Sequence, residues 1–152
     1  MTRVTTIGVH GWSVEAWLAA LRQAEIELLV DIRQRRGVRG AAYAWANAQR
    51  LQAALLRDRI AYEHRKDLAP TTALRELQYS ADERAGVGKR SRERLSPAFA
   101  EAYRREVLAA ADLSALRAGP PAALLCVERE PDACHRSLVA EALGLPVLHL
   151  RP

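Results

Sequence analysis

"IELLVDI", residues 26–32, is an apolar run broken only by Glu27 and Asp31. It lacks the alternation of a strand with one wet face, so it reads as a strand covered on both faces, as a parallel sheet requires. "AALLCVE" (122–128) is a second run of the same kind. These two segments are expected to be neighbouring or near-neighbouring parallel strands in the core.

Working outward, "RVTTIGV" (3–9) is a short β-branched run and a first strand. Ser13 can cap a helix that begins at Val14, with Ala16, Trp17, Ala20, Leu21 and Ala24 at helical spacing. The stretch 42–58 reads as one helix, "IAYEH" (60–64) as a third strand, and 72–84 as a helical patch inside the least legible part of the chain, 65–96. Ser96-Pro97 starts a helix expected to run to about Gly119. Asp132 can cap a helix from Ala133 to Leu143, closed by Gly144, and "PVLHL" (146–150) is a last strand. Strands alternating with helices predict a single α/β domain over residues 1–152. Its architecture is a three-layer sandwich with a mainly parallel, Rossmann-like sheet.

The chain is 152 residues long, 49% hydrophobic and 27% charged, which is globular rather than disordered composition. No stretch resembles a secretory signal or a membrane span, and two cysteines make no disulfide framework, so the cytoplasm is the expected location. The net charge is +5, but of 23 basic residues only Lys66 and Lys89 are lysines, a skew that a GC-rich genome produces by itself. Placement says more than the total. Arg33, Arg35, Arg36 and Arg39 crowd one loop, and Arg84, Lys89, Arg90, Arg92 and Arg94 another, which points to an anionic partner, a small molecule or a nucleic acid.

Ligands of open parallel sheets bind beyond the carboxyl ends of the strands. His10 follows the first proposed strand, Asp31 and Arg33 the second, and His64 ends the third. Cys126 and Glu128 end the fourth, and His149 lies in the last. Parallel strands would bring these scattered residues to one rim.

"TIG" (6–8), "DIR" (31–33) with Arg39 six residues on, "IAYEHRKDL" (60–68), "CVEREPDACHR" (126–136) and "VLHL" (147–150) follow one another in an order that resembles the domain-of-unknown-function family 488. That family's hallmark is a cysteine and a glutamate on a strand, followed by Cys-His-Arg. Two departures stand out: Arg36 and Val38 occupy positions where the family has proline and serine, and Leu68-Ala69-Pro70 replaces Leu-Gly-Gly. The resemblance implies an α/β fold and a functional rim, and no established reaction.

Three chemistries compete for residues 126–136. A structural zinc prefers paired ligands at short spacing, whereas seven residues separate Cys126 from Cys134 and His135 is adjacent to Cys134. A remote His10, His64 or His149 would have to complete such a site, so no metal or other cofactor is expected. A reactive thiol fits better, with Cys134 near a helix start and His135 and Arg136 beside it. An anion site fits best, because a helix N-terminus supplies N–H donors and arginine adds bidentate recognition. "GVGKRS" (86–91) is not a phosphate loop, since Glu83 stands where the first glycine belongs and Arg90 replaces Ser/Thr. Trp12, Tyr43 and Trp45 could stack on bases, although Trp45 sits in a helical pattern that suits the core.

The expected function is an enzyme or enzyme-like domain binding a phosphate-bearing ligand, a nucleotide or nucleic acid, at the rim. Arg33, Arg39 and Arg136 would hold the anion. Asp31 or Glu128 would act as general acid or base, with His10, His64 or His135 as proton carriers, and Cys134 as a candidate catalytic thiol. The alternatives are a non-catalytic nucleic-acid-binding module without rim chemistry, and a thiol or metal site at Cys126 and Cys134.

Overall fold

Residues 28–31 and 122–125 lie side by side as parallel strands, with Leu28 opposite Ala122 and Asp31 opposite Leu125. The computed structural model describes residues 1–152. Its strands are β1 (Val4–Ile7), β2 (Leu28–Asp31), β3 (Ala61–His64), β4 (Ala122–Leu125) and β5 (Val147–Leu150). They form one sheet in the order β3-β2-β4-β1-β5, and every pairing is parallel.

Successive residues of the central strands point to opposite faces, and both faces are covered. Leu29, Ala123, Leu125 and Ile7 pack with Trp17 and Leu21 of α1 (Val14–Gln23) and Leu51 and Leu55 of α2 (Ala48–Arg57). Val30, Ala122 and Leu124 pack on the other face. There they meet α3 (Thr72–Ala85), α4 (Pro97–Glu106), α5 (Ser114–Ala118) and α6 (Arg136–Leu143) through Leu74, Phe99, Leu116 and Val139. The result is the expected α/β sandwich, and continuous burial on both sides explains why the strands lack polar alternation. No helix is long and apolar enough to cross a membrane.

The predicted caps at Ser13 and Ser96 form, each hydroxyl accepting an amide of the first turn. Three helix predictions need correction. Residues 42–58 are not one helix: a 3₁₀ segment (Ala41–Ala46) precedes α2, separated by an extended Asn47 whose Oδ1 accepts Val38 N–H at 2.8 Å. The helix from Pro97 stops at Glu106 and is followed by a 3₁₀ turn (Leu108–Ala110), and a separate short helix, α5, begins at Ser114, whose amide Asp112 Oδ1 accepts at 2.9 Å. Asp132 caps nothing. Pro131–Ala133 is a 3₁₀ turn, Cys134 is extended (φ −136°, ψ 143°), and α6 begins only at Arg136.

Strand order determines where a cavity can open. The chain leaves β1 and β2 toward the α1/α2 face, but leaves β4, which lies between them, toward α6 on the opposite face. Connections that part in this way leave a crevice beyond the strand ends, the usual ligand position in open α/β sheets.

Candidate functional site

A cavity of about 380 Å³ occupies that crevice. His10 enters from the loop after β1, Arg33 to Arg39 from the loop after β2, and Cys126 to Glu128 from the end of β4. Arg75, Gln78 and Tyr79 come from α3, and Lys89, Arg90 and Arg92 from the loop that follows it. The two basic loops, far apart in sequence, therefore face each other across one opening.

Cys126, Cys134 and His135 form a buried cluster in the cavity wall. Their ligand-capable atoms all lie within 4.8 Å of one another. His135 Nδ1 is 3.6 Å from Cys126 Sγ and 3.8 Å from Cys134 Sγ, while Nε2 meets the Ile32 carbonyl at 2.9 Å. The carbonyl can only accept, so Nε2 carries a proton and donates it there. Adjacency in sequence does not keep Cys134 and His135 apart. Extended backbone at Cys134 followed by a helical His135 (φ −61°, ψ −16°) turns both side chains to the same point.

Charge inside the cluster is uneven. Burial alone would push the Cys134 thiol up, yet the hydrogen bond from Cys126 and the charges of Arg136 and His135 hold it well below the ordinary thiol range. Burial raises Cys126 well above that range, with the Cys134 hydrogen bond and the Glu128 charge adding to the effect. Of the two sulfurs, Cys134 is therefore the one disposed to ionise, while Cys126 is disposed to keep its proton, 3.3 Å from Glu128 Oε2. Burial pushes His135 down, but the adjacent Cys134 thiolate more than reverses this and raises it. Burial, then the Cys134 charge, raises Glu128, although Arg92 opposes the shift.

Arg92 anchors this wall. It pairs with Asp82 Oδ2 at 2.6 Å and Glu128 Oε1 at 3.1 Å, and donates to the Ala133 carbonyl at 3.1 Å. Gln78 holds the other oxygen of Asp82 at 2.8 Å. At the opening, by contrast, Arg35, Arg39, Arg75, Lys89 and Arg90 make no ion pair with any carboxylate. Arg75 binds Gln34 Oε1 and the Tyr79 hydroxyl, and Arg90 lies over the Tyr43 ring. Five uncompensated cations at the mouth of one cavity make a strongly positive entrance.

The rim residues named from the sequence divide into two groups. His10, Arg39, Cys126, Glu128, Cys134 and His135 meet at the cavity. Asp31, His64, Arg136 and His149 do not line it. Asp31 is fully buried, held by Arg33 Nε and Nη2 and by the Tyr62 hydroxyl. Arg33 touches the cavity wall but spends its guanidinium on Asp31 and the Ala46 carbonyl, so it holds the loop rather than an anion. Arg136 is likewise committed to the carbonyls of Glu128 and Arg129. His64 meets the Arg33 carbonyl, and His149 meets Thr6 Oγ1 on the edge strand β5. Trp45, half-buried in the 3₁₀ segment, packs against Trp17 at the edge of the core.

Sequence reading missed Arg75, Gln78, Tyr79 and Asp82. They recur at i, i+3, i+4 and i+7 on one face of α3, a polar stripe at helical period. That stripe was the available signal.

A family model described as Domain of unknown function DUF488 matches residues 13–143. No curated protein and no solved structure matches the chain.

Proposed function

The chain belongs to the family described as domain of unknown function DUF488, and from its cavity we propose that it is an enzyme-like domain binding a small phosphate-bearing molecule, of nucleotide size, at the carboxyl edge of the sheet. The observation that carries this reading is the ring of five unpaired cations, Arg35, Arg39, Arg75, Lys89 and Arg90, around one opening. A volume of about 380 Å³ lies within the usual range for small-molecule sites, about 300–1,000 Å³. A duplex cannot enter a space of that size.

The anionic end of the ligand sits among the guanidinium groups at the mouth, where bidentate recognition of phosphate is available. Its other end reaches the floor, where Cys134 and His135 are the reactive groups. Glu128 and His10 line the same space as proton carriers. His10 is suited to accept a proton, because burial and then the charges of Arg90 and Lys89 keep it neutral. Free, buried thiols suit a reducing, cytoplasmic setting.

Calorimetric titration with inorganic phosphate, pyrophosphate and nucleoside mono-, di- and triphosphates tests the reading. Saturable binding to one site is expected, and Arg75→Ala or Arg90→Ala should weaken it about tenfold or more each, the loss of a charge-assisted hydrogen bond. Absence of binding to every one of these anions overturns it. Binding of single-stranded nucleic acid with a steep salt dependence, and of no mononucleotide, hands the site to the non-catalytic module instead.

A further inference from the structure

We infer that Cys126 Sγ, Cys134 Sγ and His135 Nδ1 form a three-ligand site for one soft divalent cation, zinc by preference, with its fourth position open to the cavity. Bonds of about 2.3 Å to sulfur and about 2.0–2.1 Å to nitrogen place N and S about 3.6 Å apart around a tetrahedral zinc. The two observed separations are 3.6 Å and 3.8 Å. All three ligand atoms already lie within 4.8 Å of one another, and a cation would draw the two sulfurs to the roughly 3.8 Å that two bonds of about 2.3 Å at a tetrahedral angle set.

The tautomer is already the required one. Nε2–H is committed to the Ile32 carbonyl, which leaves Nδ1, the nitrogen facing both sulfurs, to bind the metal. Histidine ligands in metal sites are held in this way by a carbonyl or carboxylate on the far nitrogen. A second layer surrounds the sulfurs as well: Glu128 Oε2 lies 3.3 Å from Cys126 Sγ, and its other oxygen is fixed by Arg92.

Ligand type selects the metal. Two thiolates and an imidazole favour zinc over the hard cations magnesium and calcium, which take oxygen. Three protein ligands with the fourth position facing a cavity is the pattern of catalytic rather than structural zinc sites. All three residues line the cavity, so an oxygen of a bound anion, or a water, can reach that position. The inference stands on the cluster geometry and does not depend on phosphate binding.

The test uses the whole chain, treated with chelator under reducing conditions and titrated with cobalt(II) in a buffer free of phosphate. We expect one equivalent to bind with thiolate-to-cobalt charge transfer in the near ultraviolet and intense visible bands of tetrahedral cobalt, with zinc displacing it. Cys126→Ser, Cys134→Ser and His135→Gln should each weaken zinc binding by at least about 100-fold, the upper end of what losing only a supporting contact costs. Gln at 135 keeps a donor for the Ile32 carbonyl while removing Nδ1. The wild-type spectrum decides the matter even if a variant fails to fold. Cobalt bound without thiolate charge transfer, or equal affinity in a Cys126→Ser/Cys134→Ser double variant, overturns the site and leaves the floor to a free Cys134 thiolate.

Discussion

Arg136 donates a 2.6 Å hydrogen bond to the backbone carbonyl of Glu128, and its second guanidinium nitrogen reaches the Arg129 carbonyl at 3.1 Å. The arginine of the Cys-His-Arg run thus braces the turn after β4 from inside the protein. It is fully buried and absent from the cavity lining. Arg136→Ala leaves two carbonyls without that donor, and a cost of roughly 2–5 kcal/mol follows for a buried, hydrogen-bonded cation removed from its partners. Urea denaturation should show a lower midpoint, while the protein that remains folded keeps its anion affinity. Normal stability with lost binding would return Arg136 to the ligand.

Arg92 and Arg94 look interchangeable in sequence, yet the structure separates them. Arg92 is buried between Asp82 and Glu128, whereas Arg94 is exposed. Arg92→Ala strands two buried carboxylates and should cost about 3–5 kcal/mol. Arg94→Ala should fall within about 0.5 kcal/mol of wild type, as surface changes do. Thermal and urea unfolding of the pair checks this, and equal effects would contradict the placement of Arg92.

The fold was legible because burial on both faces leaves a mark in the sequence: "IELLVDI" and "AALLCVE" show no polar alternation, as befits strands covered on both faces. The convergence of His10, Cys126 and Glu128 followed from strand direction alone. Arginine roles were not legible. Arg92 finds Glu128 across 36 positions, and nothing local distinguishes it from the free Arg90. The missed break at Asn47 has a related cause: the chain is extended there and its Oδ1 accepts the Val38 amide nine positions away, a contact that helical propensity does not encode. The Cys126–Cys134–His135 cluster was hidden by the extended backbone at Cys134, which sets His135 beside its neighbour's sulfur.

His10 reports the field of the entrance. Burial lowers its pKa, and Arg90 and Lys89 lower it further. A histidine depressed in the folded state resists the proton that the unfolded chain takes up. Its contribution is therefore neutral above the unfolded value of about 6.5, and stability falls as pH drops from there through the folded value. Proton-detected NMR should place the His10 midpoint below 6.5, nearer 6.5 in Arg90→Ala, and higher when phosphate is bound. An unshifted midpoint that ignores phosphate would mean that the opening is not electropositive at His10.

Gly8, just after β1, packs directly against the backbone of the turn that follows β4. A Cβ built there would lie 2.1 Å from the Glu128 carbonyl oxygen and 3.4 Å from Arg136 Nη1. Backbone cannot yield as a flexible side chain does, and both sides are tied down: Trp17 Nε1 donates to the Gly8 carbonyl at 3.0 Å, and Val9 N–H to that of Val127 at 3.0 Å. Gly8→Ala should therefore cost at least the roughly 1–3 kcal/mol of an overpacked core. It should also push the turn that carries Glu128 away from β1 and disturb the neighbouring Cys126. Gly88→Ala is the control, since its Cβ would meet nothing closer than Ser91 Oγ at 3.6 Å. Unfolding midpoints and thiol accessibility measured on both variants should show a large change for Gly8 and almost none for Gly88. A tolerated alanine at 8 would mean that the turn after β4 is free to move, and that the rigid floor beneath the cavity does not exist.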